Sequence, residues 1–130
     1  MKLTLIRPNL GDFRSSDAMP PLAMGILAER APGWDIAFYD EKAEPLPRND
    51  RPDLAALSVE TFTARRAYAI ADDYRARGVP VVMGGYHPTF LPEEALRHAD
   101  AVVVGDAEGV WEEVLAGRRG IVRGNNERPL

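Results

Sequence analysis

The sequence predicts an α/β fold: a five-stranded parallel sheet, doubly wound, in three layers with helices on both faces. Two observations carry this expectation. Five short apolar runs, at Lys2–Arg7, Trp34–Asp40, Asp53–Val59, Val79–Met83 and Ala101–Val104, show little of the alternation of a strand with one wet face, so they read as strands buried on both sides. Stretches of helical periodicity separate most of them, the pattern of strands joined by crossover helices. Crossover handedness leaves few arrangements, and the strand order expected is 2-1-3-4-5.

The first run is rich in Leu, Ile and Thr and is stopped by Pro8-Asn9-Leu10-Gly11-Asp12. Pro20-Pro21 then suits the first turn of a helix, with Leu22, Ile26 and Leu27 at helical spacing up to Pro32-Gly33. The segment Glu41 to Pro52 is long enough for a crossover, but its prolines suit a full helix poorly. From Ala64 to Tyr74 the apolar positions fall at three- and four-residue steps with charges between them, the clearest amphipathic helix, closed by Gly78. Pro92-Glu93-Glu94-Ala95-Leu96 opens a short helix, and Val110, Val114 and Leu115 mark a last one. Residues 1–115 make one domain; Ala116 to Leu130, rich in Gly and Asn, has lost periodicity and reads as a linker to something longer.

Composition narrows the function. With 130 residues, 45 % of them apolar, the chain can bury one core. A net charge of −4 with dispersed arginines offers no stripe for nucleic acid. The chain has no cysteine, which excludes disulfides, thiolate metal sites, iron–sulfur clusters and Cys nucleophiles within it. Nothing approaches the roughly 18 apolar residues of a membrane-spanning helix, and a cytoplasmic protein is expected.

In an open parallel sheet, ligands lie beyond the carboxyl ends of the strands, so those loops hold the candidates. Gly84-Gly85 after the fourth run either lets backbone approach a large ligand or simply makes a tight turn. Ser58, Thr61 and Thr63 gather three hydroxyls at one strand end, to bind a polar tail or to cap the helix that follows. Gly105 and Gly109 flank Glu108 at a helix mouth, where the carboxylate argues against an anion site. His87 beside Pro88, with no second nearby His, reads as a hydrogen-bonded loop residue and not as a zinc ligand. No serine elbow, G-x-G-x-x-G or Walker sequence is present, so no catalytic residue is assigned.

Taken together, Gly84-Gly85-Tyr86-His87-Pro88-Thr89, Pro92-Glu93-Glu94-Ala95-Leu96, Ala99 to Gly105 and Glu108-Gly109-Val110-Trp111 resemble the N-terminal cobalamin-binding domain of cobalamin-dependent radical-SAM enzymes. Pro20-Pro21-Leu22 and Pro52-Asp53-Leu54 are similar too, and the likeness covers residues 2 to about 115. The resemblance implies a flavodoxin-like (Rossmann-like) fold, with the corrin ring over the carboxyl edge of the sheet and the dimethylbenzimidazole tail beside the first and third strands. The cobalamin-binding residues it implies are Pro8, Asn9, Ser58, Thr61, Thr63, Gly84, Gly85, His87, Pro88, Gly105, Glu108 and Gly109. Mutases carry D-x-H-x-x-G after the first strand, its histidine on cobalt. Here Asp12-Phe13-Arg14-Ser15-Ser16-Asp17 puts Arg at the His place, and a guanidinium has no lone pair to give, so no cobalt-ligating histidine is expected from this loop.

The family's catalytic half holds a 4Fe-4S cluster through three cysteines and cleaves S-adenosylmethionine. This chain cannot do so, and is expected to present cobalamin to a radical-SAM domain in cis or in trans for methyl transfer or related radical chemistry. Other proteins of the same fold fit less well. Signalling receivers need acids after the first strand, an Asp after the third and a Lys after the fifth, where Arg7-Pro8-Asn9, Ser58-Val59-Glu60 and Gly105-Asp106 stand. Flavodoxins need a hydroxyl-rich phosphate loop in place of Pro8-Asn9-Leu10-Gly11-Asp12. A degenerate domain kept only for protein contacts stays open as an alternative.

Overall fold

The computed structural model describes residues 1–8, 27–41, 45–47 and 49–124. Its strands are β1 (Lys2–Arg7), β2 (Asp35–Asp40), β3 (Leu54–Ser58), β4 (Val81–Gly84), β5 (Ala101–Val104) and β6 (Gly120–Arg123). They form one sheet in the order β2-β1-β3-β4-β5-β6, and every pairing is parallel. The expected 2-1-3-4-5 core is therefore present, with the strand count corrected from five to six. The extra strand lies in the segment expected to be linker. Its Ile121-Val122 pair between glycine and arginine is too short to show a period, yet Val122 is fully buried beside β5.

Alternation along the strands builds two cores. Ile6, Ala55, Leu57, Val81, Met83 and Val102 face the helix α1 (Ala64–Ala76), whose Ala67, Ile70, Ala71 and Tyr74 are buried against them. Leu3, Leu5, Ala56, Val82 and Val103 face the opposite way, onto α4 (Trp111–Leu115) and the stretch around Ala31. Between β4 and β5 lie two five-residue helices, α2 (Tyr86–Phe90) and α3 (Pro92–Leu96). The sequence suggests α3 through its N-terminal proline, whereas α2 falls where a plain loop is expected. Gly85 turns the chain at φ +113, and the Thr89 and Leu91 amides then donate to the Gly85 and His87 carbonyls.

The expected helix from Pro20 is described only at 27–29; residues 20–26 lie outside the described part. Gly33, at φ +84, turns the chain into β2. A buried acid fastens the other edge of the fold. Asp50 accepts from Lys2 Nζ (2.8 Å), Thr4 Oγ1 (2.8 Å) and Tyr74 Oη (2.9 Å). Burial alone would raise its carboxyl, but these donors outweigh it and hold the group below the usual carboxylate value. No helix among the described residues is long and apolar enough to cross a membrane.

Candidate functional site

Because every strand points the same way, the loops after β1, β3, β4 and β5 leave from one rim. A cavity of about 220 Å³ opens there on the α4 face. Its shape follows from side-chain size at alternate positions. Along β3, β4 and β5 the residues directed to this face include Ala56 and Ser58, Val82 and Gly84, and Val103 and Gly105, all of which line the cavity. In β4 and β5 the step is from valine to glycine. The floor is thus closed by apolar side chains and the lip is left open.

Leu27 and Trp111 form a wall, joined where the Trp111 indole N–H donates to the Leu27 carbonyl (3.0 Å). Glu108, which lines the cavity, pairs with Arg30 at 3.7 Å. The lip is tightly built. A Cβ on Gly85 would stand 2.6 Å from the Val59 carbonyl oxygen, whereas one on Gly84 would stand 3.9 Å from Val103 Cβ, an ordinary contact. Val59 ties the loops together: its amide donates to the Gly84 carbonyl (2.8 Å), and its carbonyl accepts from the His87 amide (3.2 Å).

Of the residues singled out in the sequence, Ser58, Gly84, Gly85, Gly105 and Glu108 come together around this cavity. Pro8 is buried at the end of β1, and Asn9 lies outside the described residues. Thr63 spends its hydroxyl on capping, accepting from the Glu60 amide (3.0 Å) and donating to the Glu60 carbonyl (3.1 Å). Thr61 is exposed in the 3-10 turn Thr61–Thr63, Gly109 is exposed before α4, and Pro88 is buried within α2; none of the three lines the cavity. His87 does not line it either. Its ring is buried and its Nε2 lies 2.7 Å from Glu94 Oε2, which also accepts from the Tyr68 hydroxyl (2.6 Å). These bonds, Tyr68's first, hold the Glu94 carboxyl below its ordinary value, while burial, then Glu94, pushes the Tyr68 phenol up. The chain's other histidine, His98, has Nδ1 at 2.9 Å from Asp72 and stacks on Tyr68.

The cavity wall is not among the candidate site residues of the sequence: Ala56, Val82 and Val103 stand there only within strand runs, Leu27 only in a helical pattern and Trp111 only within the motif that carries the resemblance. The signal available was the pairing of each strand-end Ser or Gly with an apolar residue two positions earlier.

A parallel α/β domain with an apolar, glycine-lipped cavity at its carboxyl rim belongs to the class that seats a ligand above the sheet. The profile of the B12 binding domain matches residues 24–115, and the chain belongs to that family. It is similar to two proteins of Chlorobaculum tepidum. One is bacteriochlorophyllide d C-8(2)-methyltransferase, 41 % identical over 96 residues, 72 % of this chain and 21 % of that protein. The other is bacteriochlorophyllide d C-12(1)-methyltransferase, 33 % identical over 118 residues, 85 % of this chain and 26 % of that protein. The chain thus spans about a quarter or less of the length of these curated relatives. Among solved structures it is similar to the N-terminal domain of a hypothetical protein of Thermotoga maritima, with a TM-score of 0.52 and 25 % identity, covering 85 % of this chain and 78 % of that one.

The residues present fit a corrinoid. At about 220 Å³ the cavity is smaller than the roughly 300–1,000 Å³ that encloses a whole drug-sized ligand, so it suits one flat arm of a larger molecule. The lip beside it is made of backbone at Gly84, Gly85 and Gly105, where a broad ring can approach without meeting side chains.

Proposed function

We propose that this chain holds cobalamin for a methyltransferase whose radical chemistry is carried out by a separate radical-SAM domain, in cis or in trans. The observation that carries the reading is the apolar cavity with its glycine lip, opening on the carboxyl rim where the ends of β3, β4 and β5 come together. Ala56, Val82, Val103, Leu27 and Trp111 would enclose the nucleotide arm and keep water from it, over β3 to β5 and not beside the first and third strands as the resemblance implied, while Ser58, Gly84, Gly85 and Gly105 would face the ring. Bound there, cobalamin supplies methyl-group carriage, and the protein's share is to bind and orient it. The names of the Chlorobaculum relatives support the methyltransferase context.

No protein histidine reaches cobalt in this reading. The chain has two histidines, one engaged with Glu94 and the other with Asp72, and the loop that would supply a ligand carries Arg14. The 4Fe-4S cluster and S-adenosylmethionine belong to the partner domain, joined in the cis arrangement through the Gly- and Asn-bearing tail; the place of work is the cytoplasm. Hydroxocobalamin titrated into the purified protein is expected to give a saturable calorimetric signal and a shifted visible spectrum. No saturation up to high micromolar cobalamin would leave only a domain kept for protein contacts.

A further inference from the structure

The cavity lip is assembled from three loops, and the sheet holds only two of them in register. Between β3 and β4 the ladder runs to the very end, with Ser58 level with Gly84. Between β4 and β5 it stops at Met83 and Val102, so the last residues of β5 and the loop beyond have no ladder partner on that side. Gly105, at φ +80, stands just past this gap and lines the cavity. Its amide donates to Thr89 Oγ1 at 3.1 Å. Thr89 is itself held in α2, where its own amide donates to the Gly85 carbonyl (3.2 Å).

We propose that Thr89 is a positioning residue of the cobalamin seat: its hydroxyl replaces the missing rung between β4 and β5 and fixes Gly105 beside the Gly84-Gly85 turn. The role rests on the cobalamin reading above. It explains why a short helix follows Gly85. One turn of helix carries the chain from the β4 loop back over β5 and delivers a hydroxyl to an amide that the sheet leaves unpaired. Gly105 is half-buried, so water can replace the bond if it is lost; the damage is to the alignment of the lip and not to the fold.

The test compares Thr89→Val, which keeps the shape and removes the acceptor, with Thr89→Ser, which restores it. Thr89→Val is expected to raise amide hydrogen exchange at Gly105 at least about tenfold and to weaken hydroxocobalamin binding about tenfold, the size of one lost neutral hydrogen bond. Tm should fall by less than about 4 °C. Thr89→Ser should return both exchange and affinity to those of the unsubstituted protein, which a purely steric role for the threonine would not do. Unchanged exchange at Gly105 in Thr89→Val, or raised exchange with unchanged affinity, overturns the role. If the unsubstituted protein itself fails to bind hydroxocobalamin, the cobalamin reading falls and the role falls with it. That result is told apart from failure of the role alone, in which the unsubstituted protein and Thr89→Val bind equally.

Discussion

Replacing each of the two lip glycines with alanine separates the stability of the seat from its capacity. Gly85, at φ +113 and ψ −171, sits in a region of backbone space that is essentially closed to residues with a Cβ, at a cost of about 1–3 kcal/mol. The added methyl would also stand 2.6 Å from the Val59 carbonyl oxygen, so the β3 loop must give way. That movement endangers the Val59 amide bond to Gly84 and the His87 amide bond to Val59, each worth about 1 kcal/mol. Gly85→Ala should therefore lose about 4 kcal/mol, a large share of the roughly 5–15 kcal/mol that holds a typical domain. Gly84→Ala meets only Val103 at 3.9 Å, and Gly84 is not among the residues with positive φ, so its stability should stay within about 1 kcal/mol. Its methyl does enter the cavity, and hydroxocobalamin binding should weaken about tenfold. Urea denaturation followed by circular dichroism reads the first quantity and calorimetry the second. A loss below about 1 kcal/mol in Gly85→Ala would refute the strained turn, and a loss of stability in Gly84→Ala as large as in Gly85→Ala would refute the division of labour.

Two further perturbations test other joints of the structure. Asp50 has a folded-state pKa below its unfolded value, so its contribution is complete above pH about 5 and is lost as the pH falls below about 4 toward the folded pKa. Asp50→Asn should cost about 3 kcal/mol at pH 7 and flatten the acid limb of stability, as urea midpoints at pH 7 and pH 3.5 would show. Trp111→Phe removes the donor to the Leu27 carbonyl and should cost about 1–2 kcal/mol while widening the cavity; an unchanged denaturation midpoint would remove Trp111 from the wall's supports.

The architecture was readable because buried parallel strands leave an unmistakable trace: Leu54 to Leu57 and Ala101 to Val104 are buried at every position, so their sequences are apolar without alternation. The amphipathic α1 was equally plain, its start at Ala64 matching and its end running two residues past Tyr74. What failed to show were elements held by tertiary partners and not by their own pattern. Tyr86–Phe90, with a proline in its middle, is helical because of the turn at Gly85 and the packing against β5; Gly120–Arg123 is a strand because β5 offers it an edge. The site was half legible. Strand-end glycines and Ser58 mark the lip because the lip is a matter of what is missing from the backbone. His87 and Thr63 follow the plainer of the readings their types allow, a hydrogen-bonded histidine and a cap, because Glu94 and Glu60 engage them; the direction of a polar side chain is set by such partners and not by its place in the sequence.

The sixth strand has a consequence for whatever is attached to this molecule. β6 runs with its neighbour until Arg123 stands level with Val104, and Gly124 then donates its amide to the Val104 carbonyl. Gly124 passes so close beneath the Asp106 carbonyl that any side chain there would overlap it. Gly124 thus stands beside a loop that lines the cavity. A body fused after this point would start beside the cavity, since the strand itself ends there; one fused ahead of Lys2 would start at the opposite rim, at the amino end of β1, with the length of the strands to climb.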